Sequence, residues 1–212
     1  SREQVVQSLD SGVVAEILVR EGSVVKRDDV LIRLDDARSG PVFREAQEKK
    51  LALQAQAVRL RAEANGYPME FGKEIPPALA ARERQVYAAR RQLMQEALDS
   101  HKKALDALNR EISMTEPLTL KGVISEVELL RLKRQQADLL GQMADRKNRY
   151  TTDAANELVR VEAELAQTRE NAAAREDAFL RTVIRAPMDG VVKNVQVTTI
   201  GGVVPVSYTH LR

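Results

Sequence analysis

The sequence contains no cysteine and no tryptophan, and aromatic residues make up only 3% of it. The absence of cysteine excludes disulfides, thiolate catalysis, iron–sulfur clusters and cysteine-based zinc sites. The shortage of large aromatic side chains argues against one compact core of 212 residues, because such a core normally uses them to fill its volume. The abundance of Ala, Leu, Glu, Arg and Gln is instead typical of long helices and coiled coils.

Charge of one predominant sign is also lacking, since 33 basic and 31 acidic residues are mixed along the chain and leave a net charge of +2. This near-balance predicts no nucleic-acid partner. No apolar run reaches the roughly 18 residues that a membrane-spanning helix needs, and the given residues do not contain a signal-peptide pattern. Because the sequence starts in mid-pattern at Ser1, we expect it to be a fragment of a longer protein.

Glycine and proline are unevenly distributed and divide the chain into three zones. The first zone, about residues 4–35, and the last, about 182–204, contain short Val, Ile and Leu runs between tight-turn residues, which predicts strands. The long stretch from 78 to 186 contains only three such helix breakers inside it. They are Pro117, Gly122 and Gly141.

The two β-rich ends repeat each other. Gly12-Val13-Val14 matches Gly190-Val191-Val192, and Gly22-Ser23-Val24-Val25 matches Gly201-Gly202-Val203-Val204. Two or three strands are marginal by themselves. We therefore expect the ends to be two halves of one β domain, related by a pseudo-two-fold axis.

The middle zone predicts three helices, at about 42–64, 78–114 and 125–181. In the third helix, from Leu129 to Phe179, inward-facing positions recur at steps of three and four, as in a coiled-coil seam. Laid end to end, the first two helices would match the third in length. The prediction is an α+β fold, in which a long antiparallel helical hairpin with its tip at about 115–125 is inserted between the two β halves.

This layout resembles the membrane fusion protein family, the HlyD-type periplasmic adaptors. Five strings carry the resemblance, and the last three are similar to the type I secretion branch. They are 13–35, Arg185–Val192, Val197–Val204, Arg59–Glu63 and Leu120–Ser125.

The resemblance implies a domain plan. It assigns 1–36 to the first half of a lipoyl-like β domain, 37–181 to the helical hairpin and 182–205 to a truncated second half. Residues 206–212 do not resemble the family's continuation and are expected to be a foreign tail. The turns of the lipoyl-like domain would be formed by Gly12, Gly22, Pro187, Asp189, Gly190, Gly201 and Gly202.

The resemblance also implies a function and partners. The chain would belong to a periplasmic adaptor that links an inner-membrane ABC transporter to a TolC-like outer-membrane channel and exports an unfolded protein. Copies would form a ring, expected to be a hexamer, and a preceding N-terminal part would anchor it to the inner membrane. No enzymatic activity and no cofactor are implied.

The tip is the candidate docking site for the outer-membrane channel, formed by Leu118, Leu120, Gly122 and Ser125. Family members often carry Arg, Leu and Ser there at intervals of seven residues. Leu118 and Ser125 match this spacing, whereas Glu111 occupies the first position and Arg110 lies one place off. The apolar residues at the tip either form a docking surface or close the turn on themselves.

Two other functions are alternatives to the adaptor function. A drug-efflux adaptor would have a similar fold but a small-molecule cargo. A lipoyl-bearing enzyme subunit would present a lysine where the β halves meet, but residues 35–38 are Asp-Asp-Ala-Arg. A plain coiled coil would leave the β repeats unexplained.

Several single residues admit more than one interpretation. The Asp35-Asp36 pair favours a helix-entry role over a metal site, and His101 favours a solvated face over a ligand, while His210 lies in the suspect tail. Helical carboxylates are expected to pair with Lys and Arg on exposed faces. Gly141 indicates either close helix packing or a hinge.

Overall fold

A computed structural model describes residues 4–204 of the chain; the expectations for the tail at 206–212 and for His210 lie outside it. Three helices lie between two groups of strands, which confirms the predicted α+β fold. The elements in chain order are β1 Gly12–Ile17, β2 Val24–Val25, β3 Val30–Leu34, α1 Ser39–Asn65, α2 Pro77–Leu120, α3 Glu126–Leu180, β4 Val183–Arg185, β5 Gly190–Val191 and β6 Val203–Val204.

The chain divides into two compact units. The β unit comprises residues up to 50 together with those from 166 onward, and the helical unit comprises residues 51–165. Helices α1 and α3 therefore each have one end in the β unit and the other end in the helical unit. Within residues 4–204, no helix is long and apolar enough to cross a membrane.

Both sheets of the β unit combine strands from the two ends of the sequence. The larger sheet has the order β4-β3-β1-β6, the smaller one pairs β2 with β5, and every pairing is antiparallel. Strand β1, from the N-terminal half, lies between β3 and the C-terminal β6. Because each half supplies partners to the other, neither half can complete its hydrogen bonds alone.

The strand register shows the pseudo-two-fold relation that the repeats predict. In the β1–β6 pair Gly12 is opposite Val204, and in the β5–β2 pair Gly190 is opposite Val25. The sequence repeat equates Gly12 with Gly190 and Val25 with Val204. The same pairing is therefore built twice, with the roles of the two halves exchanged.

The turns before β2 and β6 repeat as well. Gly22 and Gly201 have φ angles of +88° and +83°, a region that residues with a Cβ rarely adopt. The Gly22 N–H donates to the Val192 carbonyl at 2.8 Å, and the Gly201 N–H donates to the Val14 carbonyl at 2.9 Å. Each glycine thus attaches one half of the domain to the other.

The interior of the β unit consists of two small apolar clusters, which fits the low aromatic content. One contains Val14, Leu34 and Val204, and the other contains Val25, Leu31 and Ala186. At the helix ends within this unit, the rings of Phe43 and Phe179 stack with centroids 5.3 Å apart.

The predicted seam of α3 is found in the helical unit, where α2 and α3 run antiparallel. Lys133 Nζ lies 2.8 Å from Glu116 Oε1, and Gln136 donates to Asn109 at 2.6 Å. The buried α3 residues of this unit all belong to the predicted series. They are Leu132, Ala154, Leu158, Val161 and Leu165. On α2, His101 is half-buried rather than on the solvated face that we expected.

The expectation that α1 and α2 lie end to end is wrong. Ala55 of α1 packs with Ile75 and with Ala80 of α2, so α2 begins beside α1 and not beyond its end. The loop between the helices doubles back because Ile75, only 6% exposed, is buried against α1. Leu53, Ala57 and Leu60 of α1 pack against α3, which makes this part of the unit three helices thick.

The predicted end of the second helix near 114 is also wrong. Helix α2 continues through Pro117 to Leu120. A proline lacks only its own N–H, and near the end of a helix this leaves one carbonyl without its usual donor. The next turn is still hydrogen-bonded, since the Thr119 hydroxyl donates to the Thr115 carbonyl and the Lys121 N–H to the Pro117 carbonyl.

A buried ionic cluster joins the three helices around Arg59. Its guanidinium lies 2.8 Å from Glu63 Oε1 in α1, 2.8 Å from Glu83 Oε2 in α2 and 3.7 Å from Glu157 Oε1 in α3. Arg90 of α2 pairs with Glu63 and Glu157, both at 3.4 Å. Arg59 and Glu63 are therefore an i,i+4 pair, as expected, but a buried one: the Glu63 side chain is 0% exposed.

The carboxylates around Arg59 favour the charged form of its guanidinium. Burial alone would lower the pKa of Arg59, but hydrogen bonds and charges from Glu63 and Glu83 raise it above its ordinary value. Burial, with the nearby charge of Glu63, raises the pKa of the Tyr150 phenol on α3.

We predict that Arg59→Ala lowers the free energy of unfolding by about 3–5 kcal/mol, because it leaves the Glu63 carboxylate buried without its main partner. The matched control is Arg61→Ala, two residues along the same helix, which removes an exposed pair with Glu162. This control should cost less than about 1 kcal/mol. Urea unfolding followed by circular dichroism measures both, and equal small losses would contradict the role of the cluster.

Gly141 occupies an exposed position inside α3, and a Cβ built there has no atom within 4 Å. Close helix packing within the chain therefore does not account for this glycine. Helix α3 is continuous from Glu126 to Leu180, so Gly141 does not interrupt it.

We predict that Gly141→Ala raises the free energy of unfolding by about 1 kcal/mol, because alanine has less backbone freedom to lose in a helix. Ala155→Gly, at another exposed position of α3, should lower it by a similar amount. Urea unfolding of both variants measures the effect, and a destabilised Gly141→Ala would show that the glycine has a structural role.

Candidate docking site at the α2–α3 turn

The candidate site is a turn that its own backbone holds in place. After Leu120, Gly122 adopts a φ of +72°, its N–H donates to the Thr119 carbonyl at 3.0 Å, and the Val123 N–H donates to the Leu118 carbonyl at 2.9 Å. These two hydrogen bonds form a Schellman motif, in which glycine is favoured because of the left-handed backbone. Gly122 therefore ends α2 and sets the direction of the chain toward α3.

Ser125 begins the next helix. Its hydroxyl accepts the Val127 N–H at 3.2 Å, and its carbonyl accepts the Glu128 N–H at 3.1 Å. This is an N-cap, which satisfies one of the free N–H groups at the start of α3. The carboxylates of Glu126 and Glu128 in the first turn add a favourable interaction with the helix dipole.

Large apolar side chains are exposed on this capped turn. Leu118 is 38% exposed, Leu120 86% and Val123 70%, whereas Ile124 is half-buried. Further exposed apolar side chains lie on the flanking helix ends, namely Met114, Val127 and Leu130. The sequence analysis did not include these three residues in the candidate site. Their positions outside the α2–α3 seam could have indicated that they are exposed.

Arg110 is not aligned with the other candidate residues. Its side chain is exposed, and its carbonyl accepts the Ser113 hydroxyl at 2.8 Å. Glu111, one residue on, shares the helical face of Leu118. A hydrogen bond with Glu128 raises the pKa of Arg131 on α3, and the charge of Glu111 raises it further by a smaller amount. Because Ser125 begins a new helix, the spacing of seven does not form one continuous helical stripe.

The predicted turn residues of the lipoyl-like domain lie in the β unit and contribute to its folding. Asp189 accepts the Arg27 N–H at 2.7 Å and so connects the two halves. Pro187 follows the buried Ala186, and Gly190 pairs with Val25. The Gly202 carbonyl accepts the Val14 N–H at 2.8 Å. Gly12 begins β1, close to Leu34.

The segment between β3 and α1 was the candidate for cofactor attachment or a metal pair. Asp35 Oδ1 accepts the Ala37 N–H at 2.9 Å, an arrangement that turns the chain toward α1. In residues 4–204, no group of three or more His, Cys, Asp or Glu side chains is placed to hold a metal ion.

The structure thus defines a class of protein, in which a β domain built from two exchanged halves is interrupted by a helical hairpin. No protein-family model matches the chain. It is 26% identical over 250 aligned residues to the type I secretion system membrane fusion protein PrsE of Rhizobium meliloti (strain 1021). That match covers 94% of this chain but 57% of PrsE, so the chain spans little more than half the length of this curated relative.

A solved structure has the same fold. The soluble domain of LipC, a membrane fusion protein of a type I secretion system, matches with a TM-score of 0.54 and 23% identity, over 97% of this chain and 96% of that one. The chain is therefore similar to the membrane fusion proteins of type I secretion systems, and the resemblance predicted from its sequence motifs is confirmed.

We predict that Ser125→Ala lowers the free energy of unfolding by about 1 kcal/mol, because the Val127 N–H loses its acceptor. Ser125→Asn should restore most of the loss, since its side-chain oxygen can accept the same N–H. Urea unfolding compares the three proteins. Equal stability of the alanine variant and the unchanged protein would exclude a contribution from this cap.

Proposed function

We propose that this chain is the periplasmic part of an adaptor that links an inner-membrane ABC transporter to a TolC-like outer-membrane channel for type I protein secretion. The observation that carries the proposal is the capped α2–α3 turn with exposed Leu118, Leu120 and Val123. Exposed apolar side chains in such a group are typical of a docking surface for another protein. Similarity to PrsE supports the type I secretion system in particular.

The proposed role is mechanical. The helical unit would present the turn to the channel, the transporter would supply the energy of ATP hydrolysis, and an unfolded protein would be the cargo. Copies of the chain would form a ring, expected to be a hexamer, so that many weak contacts act together. The full-length protein would be anchored to the inner membrane, with this part in the periplasm, and would have neither enzymatic activity nor a cofactor.

The alternatives gain no support. The segment at 35–38, where a lipoyl carrier would need its lysine, contains none and leads directly into α1. No feature of the described residues favours a small-molecule cargo over a protein.

We predict that a cysteine at Leu120, 86% exposed, crosslinks to the outer-membrane channel in cells that contain the transporter and its cargo. The chain has no cysteine of its own, so the background is low. Immunoblotting of both proteins after addition of a short bifunctional thiol reagent, with a cysteine placed on the channel's periplasmic end, measures the crosslink.

The matched control is Val159→Cys, an apolar position of α3 that is 68% exposed and lies far from the turn in sequence. It should give no channel adduct. Absence of adducts from Leu120→Cys and also from Val123→Cys, with both variants correctly folded, would overturn the docking site.

A further inference from the structure

One layer of the α2–α3 pair, in the central part of both helices, is formed by basic side chains. It consists of His101 and Lys102 of α2 with Arg146 and Lys147 of α3, and we call it the basic layer. His101 is half-buried, and the other three side chains are exposed. Neither the α2–α3 turn nor the proposed adaptor role uses these four residues.

The register of the two helices places Lys102 opposite Lys147. Glu116 and Lys133 form an ion pair across the helix pair, with 2.8 Å between Lys133 Nζ and Glu116 Oε1. Lys102 precedes Glu116 by fourteen residues, and Lys147 follows Lys133 by fourteen residues. Because coiled-coil positions recur every seven residues, the two lysines face each other in the same way as that ion pair.

Contacts on both sides of the basic layer show that this register is continuous. Nearer the α2–α3 turn, Gln136 donates to Asn109 at 2.6 Å. Farther from the turn, Arg90 Nη1 lies 3.4 Å from Glu157 Oε2. The basic layer lies between these two contacts in both helices, so the same alignment applies to it.

The basic layer also extends into the seam. Thr115 and Leu132 are buried seam residues, with 9% and 1% of their surface exposed. His101 and Arg146 occupy the equivalent positions two heptads away. Basic groups therefore replace the seam side chains at the height where the two lysines face each other.

No carboxylate of residues 4–204 neutralises the basic layer. None of its four side chains has an ion pair or a side-chain hydrogen bond with another described residue. Asp99 and Asp106 lie within about one turn of Lys102, but Asp99 instead accepts the Gln95 amide at 2.9 Å. The two α3 members have no acid three or four residues away. Like charges that face each other without a counter-charge repel.

We propose that the basic layer binds a phosphate group. Cations converging from two helices create a positive potential that attracts anions. A carboxylate carries one charge, whereas a phosphate group carries about two at neutral pH and has more oxygens to share between the lysines. Lysine ammonium groups bind phosphate as point charges, and the Arg146 guanidinium can bind it through two N–H groups. The proposal does not depend on the proposed function, because it needs only the α2–α3 pair.

The first test measures the melting temperature of the purified protein in increasing inorganic phosphate, with sodium chloride keeping the ionic strength constant. A ligand that binds the folded state raises the melting temperature. We expect a rise that the double variant Lys102→Gln/Lys147→Gln abolishes. The matched control is Lys103→Gln/Arg149→Gln, which removes two exposed cations next to the basic layer. This control should keep the rise, which separates binding from the general stabilising effect of phosphate salts.

The second test is Lys102→Glu, which places a carboxylate opposite Lys147. We expect a higher melting temperature without phosphate, because the repulsion becomes an ion pair like that of Glu116 with Lys133. We also expect no further rise when phosphate is added, because the new carboxylate repels it.

A third measurement, with linear polyphosphate as the probe, identifies the source of the phosphate group. A rise with inorganic phosphate shows that the free ion is a sufficient ligand. A rise with polyphosphate alone, lost in Lys102→Gln/Lys147→Gln, assigns the site to phosphate carried by a larger molecule.

Three results would overturn the proposal. They are equal rises in the two double variants, no rise with either probe, and a phosphate-dependent rise that Lys102→Glu retains. Circular dichroism of each variant checks that the helix content is unchanged, as expected for substitutions of exposed side chains.

Discussion

The helical unit depends on the ionic cluster around Arg59 and Glu63. A buried charge is costly when its partners are removed, and the partners of Arg59 and Glu63 come from all three helices. Arg59 requires Glu83 beside it, and Glu83 lies only one to two turns into α2. The start of α2 is therefore held next to α1, and the two helices overlap instead of following each other.

The β unit depends on a different constraint, which is that each half lacks the partners the other provides. Strand β1 has a neighbour from each half, and the turns at Gly22 and Gly201 make equivalent hydrogen bonds across the pseudo-two-fold axis. A large helical insertion is compatible with this domain because it enters where the halves meet, after β3 and before β4. Small aliphatic clusters are then enough to fill the interior.

The α2–α3 turn combines a fixed backbone with exposed apolar side chains. The Schellman motif at Gly122 and the N-cap at Ser125 satisfy the backbone locally, so Leu120 and Val123 are not needed to hold the turn together. Exposed apolar side chains that do not contribute to holding the fold together indicate a binding surface for a partner. The α2–α3 turn has this property.

The sequence by itself determined the element types, the repeat of the β halves and the α3 seam, because each follows from a local period or from a glycine with a fixed backbone role. Tertiary structure decided the rest. The continuation of α2 through Pro117 depends on the hydrogen bonds of the following turn, and the overlap of α1 with α2 depends on Ile75 returning to Ala55. The burial of the Arg59–Glu63 pair could not be predicted from the sequence, because an i,i+4 pair has the same spacing on an exposed face as on a buried one. Glu83 and Arg90 of α2 and Glu157 of α3, all distant in sequence, contact the pair only in the folded protein.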